Sequence, residues 1–397
     1  MNANFKRIYF IRFASNFCQS CFFPFLAVWL FKEKLFLATQ AAVIVSLGVL
    51  SARLCAPFLS SYVKKYDKKY IIFTALFLLS ILYGIFYFLA IYKINSVILW
   101  VIISLLIGAA LSLNSLSILS YLAIHQDEQT HHDGFSLINI ALNLSSGLGP
   151  FFGAVVIAYD KTIFPLIPIF FSLLSMSVVI FLNADIPLSK KQSKEAVIFS
   201  LGGSHYIFFI FLNMLTFIAY AQFYDVFPVY ASQYFNEKTI GLLFVVSSVV
   251  IVIAQLPVNR LLKKYSNQSA IVFSNLILGV GTLLFIAASQ KLFVLCVLGV
   301  ILISLAEVIY APLYQTMAVQ LYQPSNPVRA LAIQSFSWGL AEAGATFLGI
   351  VLVGHGCGDV SFILGVIFIF IIFIIFSYTQ GKRRCRVNTP AEARAGA

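Results

Sequence analysis

Apolar runs of about twenty residues follow one another along the whole chain, separated by short polar segments. The runs at 71–91 and 360–378 contain no charged residue. A helix needs about 20 apolar residues to cross a hydrocarbon core of ~30 Å. The pattern therefore predicts twelve transmembrane helices, at residues 8–31, 40–62, 70–92, 97–124, 135–158, 163–184, 206–235, 239–262, 269–289, 292–321, 330–353 and 360–379.

Composition and charge indicate an all-α integral membrane protein. Of the 397 residues, 61% are hydrophobic and only 10% are charged, which is more apolar surface than a soluble core buries. Lysines and arginines are concentrated in the loops after predicted helices 2, 6, 8 and 12, so we expect those loops and both termini to be cytoplasmic. The net charge of +12 follows from this bias and favours contact with membrane lipid, not with nucleic acid.

The chain repeats part of itself, and its longest polar connection lies near the middle. VKKY at 63–66 returns as LKKY at 262–265, and FPFLAVWLFKEK at 23–34 is matched by FPVYASQYFNEK at 227–238. Internal duplication is a feature of secondary transporters, whose substrate site lies between the repeats. We expect a six-helix bundle at residues 1–184, a cytoplasmic linker at 185–203, a second six-helix bundle at 204–380 and a disordered cytoplasmic tail at 381–397.

Two sets of six helices, with a basic loop between helices 2 and 3, resemble the major facilitator superfamily. The segment NLSSGLGPFFGAVV at 143–156 follows that superfamily's helix-5 antiporter motif, G-x-x-x-G-P-x-x-G. Ser145 replaces the first glycine of the motif, and Gly149, Pro150 and Gly153 match the rest. The resemblance covers essentially the whole chain and implies a 6+6 pseudo-symmetric fold with a central cavity lined by helices 1, 4, 7 and 10.

Three further segments are similar to the drug:proton antiporter branch of this superfamily. They are YAQFYDVFPVY at 220–230, AEVIYAP at 306–312 and FSWGLAEAGATFLG at 336–349. The branch implies proton-coupled export across a bacterial inner membrane by alternating access. It also implies a chain that works as a monomer, without a cofactor or a metal.

Two motifs of the superfamily are altered in this sequence. In the loop after helix 2, Ser60 replaces a glycine, Lys64 an aspartate and Asp67 a second glycine. In helix 4, Ser104 stands four residues before Gly108, where the resemblance implies an arginine. The basic residues that the resemblance assigns to a gating contact remain: Lys64, Lys65, Lys68 and Lys69.

The helix-5 motif has a physical consequence. Pro150 removes a backbone donor and kinks the helix, which lipid tolerates only where protein covers the break. Gly149 and Gly153 are four residues apart on one face, so a neighbouring helix can approach closely. The resembled fold packs helix 5 against helix 8, and we expect a gating seam there. Ordinary small-residue packing is a compatible alternative.

Ionisable residues inside a membrane are expensive and mark functional sites. Glu307 in helix 10 and Asp225 in helix 7 should face the central cavity of the resembled fold. Glu307 is the first candidate for the proton carrier. Asp225 is the second, with a substrate-binding role as an equal alternative. Arg12, one turn into helix 1, is expected to extend to the cytoplasm.

Arg53 in helix 2 and Glu342 in helix 11 predict an ion pair, because the resembled fold packs these helices together across its two halves. Their predicted depths are ~13 Å and ~18 Å, a difference that an arginine side chain can bridge. We expect this pair to break or form as the halves rock.

Amide, hydroxyl and aromatic groups supply the rest of the predicted cavity. The candidates for substrate contact are Asn16, Gln19, Asn114, Asn213, Tyr220, Gln222, Tyr224, Tyr310, Tyr314 and Gln315. The sequence predicts proton-coupled export of a small organic molecule, either drug-like or an endogenous product such as a metallophore. Uptake of a sugar, nucleoside or carboxylate by proton symport is the alternative. We do not expect an enzyme, because no nucleotide-binding loop, metal-ligand set or nucleophile arrangement is present.

Overall fold

The structure is a computed structural model that describes residues 3–33, 35–125, 131–184, 203–262, 264–322 and 327–387. Within these ranges every regular element is helical, and short π and 3-10 turns continue two of the helices. The helices are α1 (Ala3–Lys32), α2 (Ala38–Lys65), α3 (Lys68–Ile91), α4 (Val97–His125), α5 (His131–Tyr159), α6 (Leu166–Val179), α7 (Ser204–Ala231), α8 (Glu237–Leu262), α9 (Asn267–Ala288), α10 (Phe293–Tyr322), α11 (Pro327–Gly354) and α12 (Gly358–Val387).

Eleven of these helices are long and apolar enough to cross a membrane. The exception is α6, which has only 14 residues and is shorter than the predicted helix at 163–184. Turns occupy the preceding segment, where Asp160 Oδ1 accepts hydrogen bonds from the backbone N and the hydroxyl of Thr162 at 2.8 and 2.7 Å. These bonds hold the pKa of the Asp160 carboxyl below its ordinary value.

A π turn interrupts α7 at Gln222–Val226. Pro228 follows it and explains it, because proline has no N–H and its ring clashes with the carbonyl four residues earlier. The extra residue in the turn rotates the side chains that follow. Inside the turn, Gln222 Oε1 accepts from Ser361 of α12 and Asp225 Oδ2 accepts from Thr346 of α11, so these side chains face different helices.

Hydrogen bonds tie the helix ends together at two faces of the molecule. At the first, here called the basic face, Arg7 Nη1 and Lys69 Nζ donate to the carbonyls of Phe181 and Ile180 at 2.6 and 2.9 Å. At the opposite face, Trp29 Nε1 donates to the Lys161 carbonyl at 2.9 Å. The helices thus run alternately between the two faces.

The first half of the chain (α1–α6) packs on the second half (α7–α12) mainly through α2 with α11 and α5 with α8. The α2–α11 contact is antiparallel and close: a Cβ on Gly354 would lie 1.9 Å from Ala38 Cβ, and one on Gly339 would lie 2.7 Å from Arg53 Cβ. Near the opposite face, α1 also contacts the last turns of α7.

Helix α12 continues to Val387, beyond the predicted end at 379. The first part of the predicted tail, 381–387, is therefore helical in its backbone. Residues 388–397 and the predicted linker up to residue 202 lie outside the described residues, as does the side chain of Lys64.

Candidate functional site

A cavity of about 90 Å³ lies where α5 of the first half meets α7, α8 and α10 of the second half. Its walls mix hydroxyl, amide and aromatic groups with one carboxylate. They are formed by Asn143, Ser146, Gly147, Tyr220, Tyr224, Phe244, Ser247, Ser248, Ile251 and Glu307. Three predicted site residues, Tyr220, Tyr224 and Glu307, are therefore brought together.

Glu307 is the charged group of this cavity. Its Oε1 accepts a hydrogen bond from the Tyr220 hydroxyl at 3.2 Å. Its Oε2 is buried and has no hydrogen-bond partner among the described residues. A buried carboxylate oxygen without a donor is costly while ionised, and a proton or a ligand donor would satisfy it.

Aromatic rings surround this carboxylate. Tyr220 lies 4.8 Å from Tyr224 and 6.1 Å from Tyr310, measured between ring centroids. The Tyr310 hydroxyl is buried and has no hydrogen-bond partner among the described residues. Tyr220 and Tyr224 give the cavity an apolar wall with polar tips, which suits an organic molecule with a few hydrogen-bonding groups.

Sequence reasoning did not identify the polar residues of α5 and α8 that line the cavity. Ser248 Oγ donates to the Asn143 carbonyl at 2.7 Å, which ties α8 to α5. Ser247 Oγ accepts from Ser304 Oγ of α10 at 2.8 Å. The sequence feature that indicates these α8 residues is the Ser-Ser pair inside the apolar run VVSSVV at 245–250.

Arg53 and Glu342 form the predicted ion pair, with Arg53 Nε 2.7 Å from Glu342 Oε2. The guanidinium also lies 5.5 Å from the centroid of the Phe217 ring. Asp225 belongs to the same neighbourhood, because its Oδ2 accepts a hydrogen bond from Thr346, one turn after Glu342 on α11, at 2.7 Å. Asp225 thus lies beside the inter-half ion pair and not in the cavity with Glu307.

Helices α5 and α8 are in contact, as expected, but the two glycines of the motif, Gly149 and Gly153, face α1. A Cβ on Gly149 would lie 2.6 Å from Ser20 Cβ, and one on Gly153 would lie 2.1 Å from the Cys21 carbonyl oxygen, both on α1. The predicted seam between these glycines and α8 is wrong. The helix α5 approaches α8 closely at Gly147, where a Cβ would lie 2.0 Å from Ser248 Cβ, and at Gly241 of α8, where a Cβ would lie 2.9 Å from Phe151 Cα.

The predicted site residues of α1 and α4 bind neighbouring helices of the first half. Asn16 Nδ2 donates to Ser145 Oγ of α5 at 2.6 Å, and Asn114 Nδ2 donates to Ser15 Oγ of α1 at 2.6 Å. Gln19 is half-buried. The expectation for Arg12 is corrected, because Nη1 turns to α4 and donates to Ser115 Oγ at 2.8 Å.

Besides Tyr310, which lies behind Tyr220, four predicted site residues of the second half lie away from the cavity walls. Three bind within their own half: Asn213 Oδ1 accepts from Trp338 Nε1 at 2.5 Å, Gln222 Oε1 accepts from the Ser361 hydroxyl at 2.6 Å, and Tyr314 Oη shares a hydrogen bond with the Thr216 hydroxyl at 2.7 Å. The fourth, Gln315, is exposed.

The altered motifs have local structural explanations. Ser104 Oγ donates to the Ile44 carbonyl at 2.7 Å where α2 and α4 pack very closely. A Cβ on the nearby Gly108 would lie 2.4 Å from the Gly48 carbonyl oxygen, so a larger residue on this face would force the helices apart. Asp67 accepts from the Lys69 backbone N at 2.8 Å and caps α3. Of the predicted gating lysines, Lys65 and Lys69 lie at helix ends and Lys68 is buried at the start of α3.

The family model of the Major Facilitator Superfamily matches residues 8–238 and 212–395. The chain belongs to the Major Facilitator Superfamily. It is a multi-pass membrane transporter of that superfamily, which agrees with its apolar helices. Among curated protein sequences, no match is found.

Solved transporter structures share the fold of this superfamily member. A POT family transporter in complex with 5-aminolevulinic acid has a TM-score of 0.75 at 13% identity, covering 95% of this chain and 96% of that chain. The nucleoside transporter NupG has a TM-score of 0.72 at 15% identity, covering 94% and 99%. The human organic anion transporter MFSD10 has a TM-score of 0.67 at 14% identity, covering 95% and 100%.

Proposed function

We propose that this transporter exports a small organic molecule in exchange for protons, by alternating access, and that Glu307 carries the proton. The observation that carries the proposal is the position of Glu307. It is the carboxylate of the cavity between the halves, one of its oxygens is buried without a donor among the described residues, and Tyr220 holds the other. Such a group can bind a proton or a substrate donor in turn, which is the competition that antiport requires.

The contacts between the halves support alternating access. Arg53 and Glu342 link α2 to α11, while Ser248 and Asn143 link α8 to α5. Near the opposite face, the Phe25 ring of α1 lies 6.3 Å from the Phe244 ring of α8, beside the cavity. We propose that the halves rock about these contacts and that this structure is closed at the opposite face. Asp225, which accepts from Thr346 beside this pair, is the second candidate for the proton carrier, with substrate binding as its alternative role.

The remaining topology is part of the same proposal. All twelve helices cross the membrane, including the short α6, and the basic face is cytoplasmic, with both termini on that side. The membrane is the inner membrane of a bacterium, and the transporter acts as a monomer in two six-helix halves. The helix-5 motif and the resemblance to drug:proton antiporters favour export, and the substrate is drug-like or an endogenous product such as a metallophore.

Uptake by proton symport is the second candidate. Two observations favour it: Ser104 occupies the helix-4 position where the resemblance implies an arginine, and similar folds include a peptide transporter and a nucleoside transporter. A symporter would use the same Glu307 carboxylate but load the proton and the substrate together. The substrate would then be a sugar, a nucleoside, a carboxylate or a peptide.

Everted membrane vesicles that respiration acidifies inside separate these candidates. A pH-sensitive dye is followed while drugs, metallophores and metabolites are added one at a time, with wild type and E307Q compared. Export predicts that one class of compound dissipates the gradient in wild type and not in E307Q. An unchanged dye signal in everted vesicles, with proton-driven accumulation of a compound in right-side-out vesicles, would show uptake and refute the export proposal.

A further inference from the structure

Arg12 is a half-buried cation of the first half that has no anionic partner among the described residues. It lies nine residues after Ala3, the first residue of α1, which is ~13 Å along the helix axis. Its Nη1 donates to Ser115, and its Nε is buried without a hydrogen-bond partner among the described residues. No carboxylate whose side chain the structure describes lies within ion-pair distance of it.

A guanidinium without an anionic partner in this position lowers the stability of the fold. Ionisable groups inside a membrane protein normally pair with one another or with a ligand, and an unpaired buried charge destabilises the fold. The guanidinium of Arg53, in contrast, is neutralised by an ion pair with the Glu342 carboxylate. Arg12 is half-buried and no described carboxylate neutralises it, so its guanidinium is available to an anionic ligand.

The surroundings of Arg12 connect it to the cavity that holds Glu307. Asn16 follows Arg12 by one helical turn, and its Nδ2 donates to Ser146 Oγ at 3.1 Å. Ser146 lines the cavity together with Glu307. Beside Ser115, the Oδ1 of Asn114 is also buried without a hydrogen-bond partner among the described residues. A free acceptor and a free donor thus lie on neighbouring turns of α4 and α1.

We infer that Arg12 binds a carboxylate group of the transported molecule. Ser115 occupies Nη1, which leaves the guanidinium edge that contains Nε for two parallel hydrogen bonds to a carboxylate. Asn114 Oδ1 accepts a hydrogen bond from a hydroxyl or amino group next to that carboxylate. The substrate is then an organic acid whose acidic end lies toward the first half and whose other end reaches Glu307. The inference rests on the proposed function only in taking the chain to bind a small organic molecule.

Binding to the purified, full-length protein in detergent tests this inference. Thermal unfolding midpoints are measured with three acids and with partners whose carboxyl groups are blocked: 5-aminolevulinic acid and its methyl ester, citrate and trimethyl citrate, and alanylalanine and its amide. We expect at least one acid to stabilise the wild type while its partner does not. R12Q should weaken that binding at least about tenfold, since a charge-assisted pair is lost, and R12K should weaken it less. R7Q is the matched control on the same helix, because Arg7 binds only chain atoms at the basic face.

The unfolding midpoint without ligand gives a second readout. If Arg12 is kept for a substrate, R12Q removes an unpaired charge and unfolds at the wild-type temperature or above it. A lower midpoint for R12Q would show a structural role and overturn the inference. Equal stabilisation by the acids and their carboxyl-blocked partners, no stabilisation by any acid, or unchanged binding to R12Q would overturn it as well.

These outcomes are separable from those of the proposed function. The binding measurement uses neither a membrane nor a proton gradient. Acid binding through Arg12 in a protein that moves no protons would refute antiport and leave this inference intact. Proton-coupled export of neutral molecules alone would support antiport and overturn this inference.

Discussion

Arg53 and Glu342 connect the two halves of the molecule, with Arg53 Nε 2.7 Å from Glu342 Oε2. The pair sits where α2 and α11 are closest, since a Cβ on Gly339 would lie 2.7 Å from Arg53 Cβ. Phe217 of α7 lies against the guanidinium. Rocking of one half against the other must therefore displace or break this ion pair, which makes it a direct test of how the halves move.

Removal of either partner should cost stability, and the two removals should not add. R53A leaves Glu342 without its cation, and E342A leaves Arg53 without its anion. The double variant leaves neither charge unpaired. We expect a coupling energy of about 0.5–3 kcal/mol from the four unfolding midpoints, with transport rates also non-additive. Lys161 and Glu33, 3.8 Å apart, more exposed and both in the first half, are the control pair and should show little coupling. Additive effects of R53A and E342A would contradict a coupled latch.

Two glycines of α11 should respond differently to the same substitution. G339A places a methyl group against Arg53 Cβ, whereas a Cβ on Gly344 would meet nothing within 4 Å. We expect G339A to lower the unfolding free energy by about 1–3 kcal/mol through overpacking and to slow transport. G344A should be neutral or slightly stabilising, because alanine favours the helix. Equal effects of the two variants would argue against a close α2–α11 contact.

The contact between α5 and α8 predicts a pair of compensating substitutions. G147A puts a Cβ 2.0 Å from Ser248 Cβ, so it should impair both folding yield and transport. Adding S248G removes the two clashing atoms, and the next nearest atom is then the Phe244 carbonyl oxygen at 3.4 Å, an ordinary contact. The double variant should recover most of the activity, measured per folded protein. Failure of S248G to rescue G147A would show that Gly147 faces another neighbour.

Phe244 is expected to seal the cavity at the opposite face. Its ring contacts Phe25 across the halves and Tyr224 inside the cavity, at centroid distances of 6.3 and 5.8 Å. F244A should let protons leak through vesicles without substrate. F285A is the matched control, because Phe285 also stacks on Phe223 but within the second half. Equal leaks in both variants would indicate general loosening of the fold and not a seal.

The sequence was sufficient to place three of the charged residues inside the helices, although not to place the side chains of Asp225 or Arg12. Arg53, Glu342 and Glu307 stand out because charges are rare in such an apolar chain, and helix spacing placed each at a usable depth. The direction of the helix-5 glycines was not predictable, because α5 carries small residues on two faces and periodicity does not name the neighbour. Ser247 and Ser248 were overlooked because hydroxyl groups are inexpensive in apolar helices. The side-chain direction of Arg12 depends on Ser115, which is distant in the chain.

The central claim is that Glu307 carries the proton, and one comparison in proteoliposomes tests it most directly. Wild type and E307Q are reconstituted, and two processes are measured with the same substrate: exchange without a gradient and transport driven by a pH gradient. The account predicts that E307Q exchanges substrate at near wild-type rate, because the amide oxygen still accepts from Tyr220, but loses gradient-driven transport. Gradient-driven accumulation by E307Q at the wild-type level would contradict the account and assign the proton to another group.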